Sequence, residues 1–307
     1  MQHHTILMTG ASRGIGYFAA VRMLRQASDL HLVVTTRGPG DELAARLARE
    51  SGNPHVSWVE GELSALTSVR AAAEAVRACL DGGVLPPLTG FVGNAGVQLT
   101  SANRSTADGL ETTFAVNVLA NHLFLRLLAD RFSNPARVVI TTSDTHFGDF
   151  RHNMGMVPAP RWRAPLELAT PGATPVSDTL TAGRTAYSTS KLAVIHLVHE
   201  LARRLPDGVD VYAWNPGFVP GTGLARDADA VQRFAMRHVM PLLTLTPLSV
   251  SAKSAGQLLA EMVLAGRPAG SGAYVSLDKA QPSSAESYDP AREQQLWQAA
   301  EQLCHLA

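Results

Sequence analysis

The chain is nearly without cysteine: Cys79 and Cys304 are the only two in 307 residues. That excludes a disulfide-stapled scaffold and fits a reducing compartment. Charge of either sign is not in surplus, since 26 basic side chains face 26 acidic ones. No basic run offers a surface for nucleic acid or an anionic membrane, and Arg161-Trp162-Arg163 is short and isolated. No apolar run approaches the length of a membrane span, and the N-terminus enters a strand pattern at once, without a signal-peptide layout. His3-His4 is too short for a metal tract. What is present is a hydrophobic content of 46%, enough to fill the core of one large α/β domain. The expectation is a soluble cytoplasmic protein whose partner is a small molecule.

Strand-like and helix-like stretches alternate along most of the chain, with no internal repeat and no dividing linker. This pattern predicts a single doubly wound domain, residues 1–307, with a central parallel sheet of about seven strands covered by helices on both faces. Thr5–Thr9 reads as a buried strand, followed by Gly10-Ala11-Ser12-Arg13-Gly14-Ile15-Gly16 and a helical pattern. Strand, glycine turn and helix form the context of a nucleotide-phosphate loop, in which the helix N-terminus offers N–H groups to a pyrophosphate. Gly10 allows the turn, Gly14 the approach of the phosphate, and Gly16 the packing of helix on strand. The second strand, His31–Thr36, ends where an acidic residue would bind the ribose 2′-OH of NAD. Arg37 stands there instead, with Arg13 in the loop, and two guanidinium groups suit a 2′-phosphate. The cofactor expected is therefore NADP(H).

Further strands are expected at 56–59, 90–93, 137–142, 209–214 and 273–276, and helices at 67–80, 110–132, 226–245, 251–264 and 291–303. The strand at 90–93 ends in Asn94-Ala95-Gly96, where a ligand can approach the backbone. Asn117 lies among apolar helix residues, as a satisfied core amide or a polar anchor beside the site. Ser143 sits at the C-terminal end of the fifth strand, the edge where parallel sheets bind ligands. Residues 144–185 are broken by Pro158, Pro160, Pro165, Pro171 and Pro175, and read as a substrate loop or lid. Asp144, His146, Asp149 and His152 fall in it, but their spacing matches no structural zinc pattern. Residues 218–246 read as a second substrate-binding segment.

Tyr187 and Lys191 are four apart, one turn of the helix that Tyr187 is expected to open. An ammonium about 5 Å from a phenol favours phenolate by roughly 3 kcal/mol at an effective dielectric of ~20, or about two pKa units. That would bring the phenol toward the range of general acid–base work.

Taken in order, Thr9-Gly10-x3-Gly14-x-Gly16, Asn94-Ala95-Gly96, Asn117, Ser143, Tyr187-x3-Lys191 and Pro216-Gly217 resemble the short-chain dehydrogenase/reductase family over nearly the whole chain. The long insertion before Tyr187 looks like the branch of protochlorophyllide reductases and retinol dehydrogenase-like enzymes. So does the tail, with Thr222-Gly223-Leu224, Ser271-Gly272-Ala273-Tyr274 and Leu296-Trp297. The resemblance implies that Tyr187 is the general acid of carbonyl reduction, Lys191 lowers its pKa and binds the nicotinamide ribose, Ser143 binds the substrate oxygen, and Asn117 holds a water. It also implies that Gly10, Ser12–Gly16, Arg37, Glu62, Leu63, Asn94–Gly96, Tyr187, Lys191, Pro216, Gly217 and Val219 bind the cofactor. Glu62-Leu63 replaces the family's usual Asp-Leu beside the adenine. Ala193 stands where the light-dependent protochlorophyllide reductases carry cysteine. The reading is an NADPH-dependent ketoreductase for a bulky apolar ketone, monomeric or homodimeric, without a metal. A C=C reductase like the protochlorophyllide enzymes and a non-catalytic NADP-binding regulator are the alternatives.

Overall fold

Neighbouring residues of the central strands point into two different cores. In β1 (His4–Thr9), Leu7 faces one hydrophobic cluster while Ile6 and Met8 face the other. Val33 divides in the same way from Leu32 and Val34 in β2 (Leu30–Thr36), and Val138 and Ile140 divide from Val139 in β5 (Phe132–Thr141). A period of two with both faces apolar is the pattern of a parallel sheet covered on each side. The computed structural model describes residues 3–173, 179–220 and 249–306. It contains β3 (Val56–Glu60), β4 (Leu88–Gly93), β6 (Val209–Asn215), β7 (Tyr274–Ser276) and a two-residue edge strand β8 (Lys279–Ala280). The sheet order is β3-β2-β1-β4-β5-β6-β7-β8. All pairings are parallel except β7 with β8, so the sheet gains one short antiparallel strand over the seven expected.

One face is covered by α1 (Gly14–Gln26) and α6 (Ala252–Leu264). These two helices touch through Gly256, where a Cβ would lie 2.8 Å from the Ile15 carbonyl oxygen. α2 (Asp41–Ser51) flanks α1 and adds Leu47 to the same core. The other face is covered by α3 (Leu66–Asp81), α4 (Thr112–Arg131), α5 (Thr179–Arg204) and α7 (Pro290–Leu303). By length and composition α4 can cross a membrane, which differs from the expectation that no stretch reaches that length. In this fold 78% of its apolar window is buried against the sheet and neighbouring helices.

α5 begins at Thr179, eight residues before the expected start, so Tyr187 lies inside a helix and not at its opening. The proline-punctuated stretch before it holds one-turn helices at Phe150–Asn153 and Pro165–Leu168. It packs back on α5: Trp162 meets the His196 ring at 4.6 Å, and the Arg161 N–H donates to Thr189 Oγ1 (3.0 Å). Residues 179–185 of the expected lid are thus the first turns of α5. The expected helix at 226–245, Thr222-Gly223-Leu224 and most of segment 218–246 lie outside the described residues. The strand order reverses between β1 and β4, and the crevice at their C-terminal ends is where such a sheet receives a ligand.

Candidate active site

The crevice is built from strand ends. Beyond β1, Gly10 turns the chain with φ +73°, and a Cβ there would sit 2.8 Å from the Ala95 backbone. A Cβ at Gly16 would sit 2.1 Å from the Gly10 carbonyl oxygen, so both glycines are required by packing. Gly14 differs: its φ is +57° and a Cβ would meet nothing within 4 Å, on the side that lines the cleft. Asn94 Nδ2 donates to the Gly10 carbonyl (3.1 Å) and the Ala95 N–H donates to Thr9 Oγ1 (3.1 Å), which locks the ends of β1 and β4 together. The first turn of α1 carries no acidic residue and no side-chain cap, so its N–H groups and positive dipole end are presented to the cleft. This cradle fits the pyrophosphate of a dinucleotide. The cleft encloses about 390 Å³, the size of a small-ligand site. Ser12–Gly16, Asn94–Gly96, Ser143, Tyr187, Lys191, Pro216, Gly217 and Val219 all line it.

Tyr187 and Lys191 form the floor and are buried at 5% and 4% exposure. Lys191 Nζ stands 5.5 Å from the centre of the Tyr187 ring and donates to the Thr141 carbonyl (2.9 Å) at the end of β5. Ser143 caps the turn Asp144–Phe147, accepting from the Thr145 N–H (3.3 Å). The phenol is pushed up to about 12 by burial, with the Ser143 hydroxyl pulling it the other way. Burial pulls the Lys191 ammonium down to about 8. The expected lowering of the phenol by Lys191 is therefore overturned here. Both groups are desolvated and the ammonium is directed to a carbonyl, so burial sets the direction at the phenol. A phenol held in its neutral form is a proton donor at neutral pH.

Asn117 lies in a π-turn, Ala115–Leu119, within α4. Its amide is saturated, accepting from the Val97 N–H (2.9 Å) and donating to the Val97 carbonyl (3.0 Å) and Ser190 Oγ (2.9 Å). It ties the loop after β4 to α5 as a satisfied anchor. Asn215 supports the other wall, accepting from the Gly217 N–H (3.2 Å) at the end of β6.

Arg13 is exposed at the rim of the cleft and Arg37 is exposed on the turn after β2. Arg37, Glu62 and Leu63 do not line the cleft. The Glu62 carboxylate accepts from the Ser64 N–H (3.0 Å) and hydroxyl (2.9 Å), and Leu63 packs on the core. Asp144, His146, Asp149 and His152 go to separate partners. Asp144 accepts from the Tyr274 hydroxyl (2.6 Å), His146 Nδ1 bonds the Ser143 carbonyl (2.6 Å), and His152 bonds Asp149 (2.8 Å). Among the described residues no three metal-ligating side chains converge.

Arg46 and Arg184 are contributors that the sequence does not single out, and His146 stands out there only among side chains whose spacing fits no metal site. Arg46 donates to the Ser12 carbonyl (3.0 Å) and lies 4.5 Å over the Tyr17 ring, bracing the glycine loop from α2. His146 Nε2 accepts from the Ser284 N–H (3.2 Å), so the Ser143 turn is tied to the C-terminal third. Arg184 lines the cleft one turn before Tyr187. Only Arg184 carried a local signal, its i–3 spacing from the tyrosine.

The family model for short chain dehydrogenases matches residues 4–154, and that for the AcuH dehydrogenase domain matches residues 222–305. The chain is 31% identical over 335 residues to chloroplastic protochlorophyllide reductase of Chlamydomonas reinhardtii, covering 100% of this chain and 79% of that one. It is 31% identical over 227 residues to retinol dehydrogenase 12 of Bos taurus, covering 70% of this chain and 61% of that protein, so it spans about three fifths of that relative's length. The fold matches a blue fluorescent protein from a metagenomic library, solved in complex with NADPH, with a TM-score of 0.61 at 21% identity, covering 90% of this chain and 96% of that one. The chain belongs to the short-chain dehydrogenase/reductase family, in the branch that holds retinol dehydrogenase 12 and the protochlorophyllide reductases.

Proposed function

We propose that the protein is an NADPH-dependent reductase of ketones. The observation that carries this reading is the buried, neutral Tyr187 phenol beside Ser143 on the cleft floor, with Lys191 one turn behind it. When bound, the reduced nicotinamide supplies the hydride to the carbonyl carbon. Ser143 and Tyr187 donate to the carbonyl oxygen as its negative charge grows, and the Tyr187 proton passes to it. Lys191 anchors α5 to β5 through the Thr141 carbonyl and faces Gly96, where it would meet a nicotinamide ribose. A phenol that keeps its proton favours reduction over alcohol oxidation, which needs a base at the same atom.

Preference for NADPH over NADH rests on Arg13 and Arg37, whose guanidinium groups pair with a 2′-phosphate. The solved neighbour that holds NADPH supports the same choice. The wall formed by Met154, Met156, Val157 and Phe218 suits a bulky apolar substrate body. Likeness to a protochlorophyllide reductase along the full chain supports a second reading, light-driven reduction of a C=C bond.

The test is NADPH oxidation, followed by absorbance, across a panel of aryl and polycyclic ketones in the dark. Turnover of ketones without light is the expected result. Turnover only of a porphyrin and only under illumination moves the assignment to the second reading. No NADPH consumption with any substrate refutes both.

A further inference from the structure

Arg184 and Tyr187 are three residues apart on α5, so their side chains share one face of the helix. Gly183 sets this turn hard against the loop after β4. A Cβ there would lie 2.3 Å from the Leu99 carbonyl oxygen and 2.6 Å from the Ser101 nitrogen. That contact brings Gln98 and Arg184 into the wall of the cleft that holds Tyr187. Arg184 is half-buried there, and among the described residues it makes no hydrogen bond or ion pair. Two other partly buried arginines have partners. Arg126 bonds Glu301 (2.6 Å), and Arg137 donates to the Ala265 carbonyl (2.6 Å).

A guanidinium drawn halfway out of water without a partner is unfavourable unless something anionic meets it. Asp144 is the one carboxylate among the described residues lining the cleft, and it accepts from the Tyr274 hydroxyl. Among the described residues the wall holds no other anionic side chain. Met154, Met156 and Val157 present apolar surface.

We propose that Arg184 reads a carboxylate on the substrate, and that the substrate class is an amphipathic keto acid. Its apolar body lies along Met154, Met156 and Val157, its carboxylate pairs with Arg184, and its carbonyl meets Tyr187 and Ser143. Cβ atoms three apart on a helix are about 5–6 Å from each other, so a carboxylate a few bonds from the carbonyl spans the two groups. This inference rests on the ketone-reductase reading for which group is reduced, but not for which group is bound.

The test is calorimetric titration of the NADPH-loaded full chain with benzoylpropionic acid and with its methyl ester. Wild type is compared with Arg184→Met and Arg184→Lys. A charge-assisted pair predicts acid binding about ten- to a hundredfold tighter than ester in wild type. Arg184→Met should bring the acid down to the level of the ester, and Arg184→Lys should keep part of the preference. Equal affinities in wild type, no affinity for either ligand, an acid affinity untouched by Arg184→Met, or a loss of NADPH affinity in that variant each overturn the proposal. Hydride transfer is followed in the same samples. Acid that binds through Arg184 but is not reduced leaves this inference standing and sinks the reductase reading alone.

Discussion

Replacing Lys191 with methionine should stabilise the protein at neutral pH, and the gain should disappear as the pH rises. Lys191 is 4% exposed, and burial pulls its ammonium from 10.5 to about 8. One pKa unit is about 1.4 kcal/mol, so keeping the charged form inside at pH 7 costs the fold about 3 kcal/mol. Methionine keeps the length of the stem and carries no charge. The Thr141 carbonyl then loses its 2.9 Å donor, a loss of about 1–3 kcal/mol. The net gain at pH 7 is about 0–2 kcal/mol. The pH dependence isolates the charge, because the Thr141 contribution is the same at every pH. The folded-state pKa lies below the unfolded one, so between about 8 and 10.5 the unfolded chain holds more protons and wild-type stability rises with pH. The variant lacks that rise. From about pH 7 to about pH 9.5 the wild type should gain about 2 kcal/mol on Lys191→Met. Urea unfolding followed by far-UV circular dichroism at the two pH values measures this, with equal m-values making the two proteins comparable. A stability difference that stays constant across the window refutes the reasoning, because Lys191 would then titrate like a solvated amine.

Arg37→Ala should weaken NADPH binding by about ten- to a hundredfold and leave NADH binding nearly unchanged. Fluorescence titration with both nucleotides reads this, and equal losses would show that Arg37 does not meet the 2′-phosphate. Gly16→Ala places a methyl 2.1 Å from the Gly10 carbonyl oxygen; a destabilisation of about 1–3 kcal/mol is expected together with loss of nucleotide binding. Thermal unfolding with and without NADPH checks it, and a variant with unchanged melting and nucleotide shift would contradict the packing account. His196 is fully buried and pulled down to about 4 by burial. Stability should therefore fall as the pH drops from about 6.5 toward 4, where the unfolded chain takes a proton that the native ring refuses. His196→Leu should reduce that acid loss by about 2–3 kcal/mol near pH 4.5, measured by urea unfolding; an unaltered acid limb argues for a solvated ring.

The sheet was legible because its strands are apolar on both faces and its helices carry one apolar stripe. Two signals of different period are hard to confuse. The glycine loop was legible because Gly10 and Gly16 leave no room for a side chain, a constraint that shows as glycine in the sequence itself. The start of α5 was not. Pro171 and Pro175 hide it, and the contact that holds its first turns, Gly183 against Leu99 and Ser101, joins segments far apart in the chain. The electrostatics at Tyr187 were misread for a related reason. Helical spacing puts Lys191 near the phenol, but only the fold shows that both groups are dry and that Nζ is bonded to Thr141. The π-turn around Asn117, and the absence of a partner for Arg184 among the described residues, are likewise properties of the packed chain, not of local sequence.

The most direct measurement of the central claim is a single-turnover reaction of Tyr187→Phe, mixed as its NADPH complex with a ketone that the wild type reduces. Loss of the buried proton donor should slow NADPH oxidation by about 10²–10⁴-fold while the affinity for NADPH stays at the wild-type value. Full-speed oxidation by the phenylalanine variant, with the nucleotide bound equally well, would mean that the proton comes from elsewhere and that Tyr187 is only part of the wall.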